Sequence, residues 1–263
     1  MLMDIELIKR TGMTAAFNGG KILRKYFRKL IQIKKKGDID LVTQADLESE
    51  QTIIATIREK FPEHGFIAEE TGHHPGAGEG QWIIDPLDGT TNYAHGIGIF
   101  AVSIAFSQDI DIIMGIVFNP LTGELFTATK GSGAQLNGQP IGVTQTHSIQ
   151  ESLLATGFPY DFKTTTDSIM QRFQRCLVAS QGIRRLGAAA LDLCYVACGR
   201  FDGFWEQRLK PWDTAAGSLI ASEAGATCTD FSNQPYTINK KEIVTSNSHI
   251  HEELISLLRI KDR

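Results

Sequence analysis

Asp85-Pro86-Leu87-Asp88-Gly89-Thr90-Thr91-Asn92 concentrates more reactive groups than any other stretch of this 263-residue chain. The apolar run Trp82-Ile83-Ile84 leads into two aspartates three residues apart and then into Gly-Thr-Thr. Glu69 and Glu70 close a second apolar stretch, Phe66-Ile67-Ala68, and Trp212-Asp213 lies far downstream. Carboxylates gathered at strand ends repel one another unless a cation lies between them. Oxygen donors of this kind suit hard divalent ions, and a glycine-threonine turn opening a helix offers amides to a phosphate. The combination predicts a divalent metal site beside a phosphate-binding turn. Asp-Pro-x-Asp alone reads equally well as turn and cap residues; the attached Gly-Thr-Thr and the preceding strand tip the reading toward metal.

Pro86 has no amide hydrogen, so the strand carrying Asp85 is expected to end there. That turns Asp88 back toward Asp85, with the Leu87 carbonyl between them as a further oxygen donor. Asp213 falls in the first turn of a helix opened by Pro211, where the macrodipole favours an anion. Glu206 ends another strand, while Asp192 and Asp202 read as structural. His73 and His74 diverge as neighbours must and belong to an exposed loop over 71–80. The chain has no Gly-x-Ser-x-Gly pattern, which fits phosphoryl transfer driven by positioning and charge neutralisation rather than by a covalent nucleophile.

The elements that must hold these groups follow from periodicity and punctuation. Residues 4–31 have helical spacing, interrupted at Gly12 and at Gly19-Gly20, which leaves room for bending. A charged loop, Lys34 to Asp38, reads equally as solvated surface or as a flap over the anionic site. Thr43 caps a helix running to about Lys60, with Asp46 three residues on as in a capping box. Segments 64–69, 81–85, 99–107, 112–119 and 123–129 read as strands, with a hairpin turn at 119–123 and a tight turn at Asn137-Gly138. Beyond residue 150 the elements alternate: strands near 152–156, 183–186, 201–206, 226–230 and 242–246, helices near 165–180, 188–199, 211–224 and 248–259. The expected architecture is a β-rich α+β half over about 1–145 and an α/β half over about 146–263, layered and packed as one domain spanning 1–263.

Bulk properties narrow the classes. A net charge of −4 leaves no basic footprint for direct nucleic-acid binding. No apolar run approaches the ~18 residues of a membrane span. The first residues lack a signal-peptide pattern, and Cys176, Cys194, Cys198 and Cys228 match no zinc spacing. Both observations set the expectation of a reduced, cytoplasmic protein.

Asp85–Asn92 resembles the first signature of the inositol monophosphatase family. Trp212-Asp213-Thr214-Ala215-Ala216-Gly217, followed by Glu223-Ala224-Gly225-Ala226, resembles the second. Asp40-Leu41-Val42-Thr43 with Asp46, and Ile67-Ala68-Glu69-Glu70, fit in order and spacing, and Gly182–Leu193 is similar to the bacterial branch. The resemblance covers roughly residues 4 to 250. It implies an α-β-α-β-α sandwich of the inositol monophosphatase and fructose bisphosphatase type. It also implies Mg²⁺-dependent hydrolysis of myo-inositol monophosphate, a small phosphorylated polyol, with two to three Mg²⁺ ions.

By the same resemblance, Glu69, Asp85 and the Leu87 carbonyl hold the first ion, and Asp85, Asp88 and Asp213 the second. Glu69 serves a third, with Glu70 and the flap residue Lys35 nearby. Asp46 and Thr90 activate the attacking water, the amides of Gly89 and Thr90 grip phosphate, and Asp88, Ala189 through its amide, Glu206 and Asp213 contact the alcohol. Fructose 1,6-bisphosphate, 3′-phosphoadenosine 5′-phosphate and histidinol phosphate remain alternative substrates, because the metal cluster does not separate them. Glu206, the Ala188-Ala189 turn and residues 157–165 would; with no basic cluster for a second phosphate, a monophosphate is favoured. A homodimer, lithium inhibition and association with transcription antitermination assemblies are further implications.

Overall fold

The structure is a computed structural model that describes residues 4–29, 33–35, 41–159 and 166–260. Helix α1 (Ile5–Tyr26) starts where Asp4 Oδ1 accepts the Leu7 amide at 2.9 Å. It runs as one helix through Gly12, Gly19 and Gly20. These glycines are buried at its contacts. A Cβ on Gly12 would stand 2.8 Å from Ile116 Cδ1, on Gly19 2.8 Å from Ile53, and on Gly20 2.7 Å from Phe118 Cε1. The glycines therefore let α1 lie against its neighbours at backbone distance. Strands β1 (Ile33–Lys35) and β2 (Leu41–Thr43) pair antiparallel, Lys34 opposite Val42. Lys34 and Lys35 thus belong to a strand; Lys36–Asp40 and the side chain of Lys35 lie outside the described residues. Helix α2 (Gln44–Arg58) follows directly.

Eight strands make the first sheet: β3 (Gly65–Ala68), β4 (Gly72–His74), β5 (Gly80–Asp88), β6 (Ala101–Gln108), β7 (Asp111–Asn119), β8 (Glu124–Thr129), β9 (Ala134–Leu136) and β10 (Gln139–Pro140). Their order is β10-β9-β8-β7-β6-β5-β3-β4, with β3 parallel to β5 and every other pair antiparallel. The segment expected as a loop over 71–80 contains β4. Gly72 (φ 79°) turns the chain back so that His74 pairs with Phe66. The two turns read from sequence are present: Asn119 opens β7–β8, and Asn137 and Gly138 both have positive φ between β9 and β10, as a primed hairpin turn requires.

Alternation sorts the sheet into two apolar faces. Trp82, Ile84, Ile104, Phe106 and Ile116 pack on α1 and α2 with Ile8, Leu23 and Ile53. Ile83, Ala105, Val117 and Phe126 pack on two helices of the second half. That half comprises β11 (Leu153–Thr156), α4 (Thr166–Ala179), β12 (Gly182–Arg184), α5 (Ala189–Ala197), β13 (Gly203–Gln207), α6 (Pro211–Glu223), β14 (Ala226–Thr229), β15 (Glu242–Asn247) and α7 (His251–Leu258); α3 (Thr90–Ala94) follows β5 in the first.

The second sheet has the order β12-β11-β13-β15-β14, parallel among β12, β11 and β13. Its one face meets α5 through Ala155, Leu193, Phe204 and Ile243. The other meets α4 and α7 through Leu154, Cys176, Trp205 and Leu254. Helices α5 and α6 therefore lie between the sheets, with α1 and α2 outside one and α4 and α7 outside the other. This is the α-β-α-β-α sandwich that the family resemblance implies. Small residues make the middle layer thin: a Cβ on Gly115 would approach Ala216 O to 2.7 Å. The four cysteines are free thiols, and burial pushes Cys176 up to about 12.

Candidate active site

Parallel pairing of β3 with β5 brings two carboxyl ends to the same edge. The pairing continues past Ala68–Ile84 with the Glu69 amide donating to Ile84 O at 3.1 Å, which sets Glu69 beside Asp85. Contrary to the sequence expectation, β5 does not stop at Pro86. The ladder shifts register between Asp85 and Asp88 and resumes with Asp88 opposite Ala101. Side chains replace the missing backbone bonds there. Asp85 Oδ1 accepts the Leu87 amide at 2.9 Å, and Ser49 Oγ of α2 donates to Pro86 O at 3.2 Å.

Gly89 follows with φ 93°, and a Cβ there would press Ile99 O at 2.9 Å, so only glycine makes this corner without strain. The corner starts α3 and brings Thr90 Oγ1 within 3.0 Å of Leu87 O and 3.3 Å of Asp46 Oδ1. Asp46 is fully buried. The Thr43 side chain lies outside the described residues.

The second half delivers its groups from helix starts. Asp88 is gripped by the first amides of α5: Ala189 N–H donates to Oδ1 at 3.2 Å and Ala190 N–H to Oδ2 at 2.8 Å. The Ala189 amide, which the family resemblance assigns to the substrate alcohol, is engaged by Asp88 here. Asp213 lies in the first turn of α6 and accepts the Lys210 amide at 2.7 Å. The neighbouring Trp212 carbonyl accepts from Ser103 Oγ at 3.2 Å. Because Ser103 sits opposite Asp85 in the ladder, this bond ties the start of α6 to the first sheet beside Asp85. Asn92 Nδ2 links α3 to the turn before α5 through Leu186 O at 2.8 Å. Glu206, on β13, packs against Gly157, where any Cβ would collide with its carboxylate.

The carboxylates of this cluster are buried together and raise one another's pKa. Burial, then the charges of Glu69, Asp88 and Asp213, hold Asp85 well above the ordinary carboxylate range. Burial raises Asp88 to about 7, against the pull of the Ala190 and Ala189 amides and with Glu69 adding to the rise. Asp213 is raised by burial, which the Lys210 amide opposes and the charges of Asp88, Glu69 and Glu206 reinforce. Like charges so close favour a divalent ion over protons near neutral pH. The donors are all oxygens: Glu69, Asp85, Asp88 and Asp213 carboxylates with the Leu87 carbonyl, which fits Mg²⁺. Among the described residues no three carboxylates are closed around one point.

The cluster opens into a cavity of about 680 Å³. Glu69, Asp88, Gly89, Ala189, Glu206 and Asp213 line it, and so do four cations, Arg185, Arg208, Lys210 and Lys241. Sequence reasoning found no basic cluster because these cations come from three separate segments that only the fold brings together. Arg208 takes a left-handed conformation (φ 65°), held by its amide bond to Lys241 O. Asp202, as expected, is structural, accepting from Thr144 Oγ1 at 2.6 Å and from the Leu153 amide at 2.7 Å. Asp192 is buried with neither oxygen hydrogen-bonded, and burial together with Glu206 and Asp88 raises it well above the ordinary range. Glu70 contributes its amide, at 2.8 Å, to Glu50 of α2, a residue with no part in the sequence-based site.

A sequence model of the inositol monophosphatase family matches residues 4–263. The chain is 41% identical over 263 residues to an inositol-1-monophosphatase of Synechocystis, covering 97% of this chain and 90% of that one. It is 40% identical over 254 residues to the Nus factor SuhB of Pseudomonas aeruginosa, covering 94% of each. The crystal structure of the extragenic suppressor protein suhB from Bartonella henselae superposes with a TM-score of 0.94 at 37% identity, over 97% of this chain and all of that one.

Proposed function

The chain belongs to the inositol monophosphatase family, and from that premise we propose that it is a Mg²⁺-dependent phosphomonoesterase that hydrolyses myo-inositol monophosphate to myo-inositol and phosphate. The observation that carries the reading is the set of mutually repelling carboxylates, Glu69, Asp85, Asp88 and Asp213, at the acidic end of one cavity. Glu69, Asp85, the Leu87 carbonyl, Asp88 and Asp213 would hold two to three ions, with Glu70 and Lys35 near the outermost. Bound there, Mg²⁺ lowers the pKa of water, polarises the phosphoryl oxygens and offsets charge on the departing alkoxide.

The chain's own groups do the rest. Thr90 Oγ1, 3.3 Å from Asp46 Oδ1, would accept the proton of the attacking water and pass its own to Asp46. Glu69, fixed at the end of β3, holds that water on the other side. The amides of Gly89 and Thr90 receive phosphate oxygens. Asp88 is held rigid by α5, and Glu206 and Asp213 accept hydroxyls of the polyol, with Ala189 as wall. Held mostly protonated near neutral pH, Glu206 also donates. In this reading the whole chain acts as one unit, dimerises and works in the cytoplasm. No helix among the described residues is long and apolar enough to cross a membrane.

The four cations in the cavity wall favour a second reading, in which the ester carries another anionic group, as fructose 1,6-bisphosphate or 3′-phosphoadenosine 5′-phosphate does. A binding role of the kind named for the P. aeruginosa relative would be separable from catalysis: partner capture that survives Asp88→Asn would reveal it. The deciding experiment measures kcat/KM for phosphate release from inositol 1-phosphate, these two bisphosphates and histidinol phosphate in Mg²⁺. A preference for inositol 1-phosphate supports the first reading. A preference for a bisphosphate replaces it with the second, and no release from any monoester or bisphosphate refutes both.

A further inference from the structure

Glu50 is a carboxylate with no exposed surface, on the apolar face of α2. Burying a charge costs several kcal/mol unless it is hydrogen-bonded. Its bonds go to two consecutive amides: Glu70 N–H donates to Oε2 at 2.8 Å and Thr71 N–H to Oε1 at 2.9 Å. The preceding amide, that of Glu69, is held by Ile84 O at 3.1 Å. Three successive backbone donors, starting at Glu69, are therefore pinned, one by β5 and two by a single buried carboxylate. Ile84 directly precedes Asp85, so the turn is locked in register with the acidic strand end. One helical turn before Glu50, Asp46 receives Thr90 Oγ1, and between them Ser49 holds Pro86 O. Helix α2 thus braces the three corners of the cluster with three buried polar side chains.

We propose that Glu50 is a positioning residue: its grip on the Glu70 and Thr71 amides fixes the direction of Glu69, so that Glu69 and Asp85 meet the same divalent cation. The inference rests on the metal reading of the site. Charge-assisted bonds from a carboxylate to paired amides are directional. Glutamine keeps the shape of Glu50 but sets an N–H₂ against one of the two amides, releasing half of the grip.

The test measures Mn²⁺ affinity by electron paramagnetic resonance in the full chain, for wild type, Glu50→Gln and Glu50→Asp, with hydrogen exchange at the Glu70 and Thr71 amides. Groups that orient a metal ligand change affinity by about tenfold or more when altered. Glu50→Gln is expected to weaken Mn²⁺ binding by at least that factor, with faster exchange at both amides. The KM for the ester at saturating metal should stay within about twofold. Glu50→Asp, which keeps the charge but withdraws it by one methylene, is expected to weaken binding likewise and serves alone if the glutamine variant does not fold. Wild-type Mn²⁺ affinity in a folded variant overturns the inference, even with lowered thermal stability. A wild-type chain that binds no Mn²⁺ overturns the metal reading itself.

Discussion

Replacing Glu206 by glutamine isolates one consequence of placing an acid in the cavity wall. Burial pushes Glu206 from 4.5 up to about 8, despite the opposing charge of Arg185 and with Asp88 adding to the rise. In the unfolded chain the group returns to its ordinary range. Between about pH 4.5 and 8 the folded chain therefore keeps a proton that the unfolded chain has lost, and stability falls as pH rises through that window. At about 1.4 kcal/mol per pH unit, the full gap amounts to about 5 kcal/mol, of which roughly half falls between pH 5 and 7. Urea unfolding in the presence of chelator, followed by tryptophan fluorescence at pH 5, 6 and 7, reads this directly. Wild type should lose about 2–3 kcal/mol more than Glu206→Gln across that interval. The difference in slope is the quantity of interest, because the raised Asp85, Asp88 and Asp213 tilt both proteins in the same direction. Parallel stability curves would refute the reasoning.

Divalent cation should reverse that pH trend, since it binds the ionised cluster: Mg²⁺ is expected to raise the melting temperature at pH 8 and to have little effect at pH 5, as differential scanning fluorimetry will show. Gly89→Ala places a side chain at φ 93° and 2.9 Å from Ile99 O, which should cost about 2 kcal/mol or more and abolish turnover together; stability and activity that both survive would contradict the corner's role. Gly20→Ala overpacks α1 against Phe118 and should cost about 1–3 kcal/mol with Mn²⁺ affinity unchanged. Arg208→Ser should lower kcat/KM for bisphosphates relative to monophosphates, and an unchanged ratio would remove Arg208 from anion recognition.

The layered fold was legible because its punctuation is strong. Continuous apolar runs such as Trp82–Ile84 and Ile104–Phe106 mark strands, and later in the chain strands and helices take turns. Where reasoning from sequence departed from the structure, a tertiary contact decided the outcome. Gly12, Gly19 and Gly20 read as interruptions because propensity sees only the local backbone, whereas their use is the approach of Ile116, Ile53 and Phe118. Pro86 read as a strand end because its missing donor is local, whereas Ser49 and the Asp85 side chain bridge the gap from outside the ladder. Strand β4 was hidden in a glycine- and histidine-rich segment with no apolar alternation. The acidic residues were found because they cluster in short motifs, but the cavity cations were not, since Arg185, Arg208, Lys210 and Lys241 meet only after folding. Glu50 left a readable trace: Asp46, Ser49 and Glu50 share the helical stripe of Ile53, Ile54 and Ile57. Polar groups on an apolar stripe are buried for a reason.

The most direct test follows phosphate release from inositol 1-phosphate as free Mg²⁺ is raised from a chelated zero, in wild type and in Asp213→Asn. A buried acidic cluster that works through a divalent ion predicts no turnover in chelator, saturable recovery with Mg²⁺, and little recovery in the variant at any concentration. Turnover that persists in chelator, or that survives intact in Asp213→Asn, would contradict it.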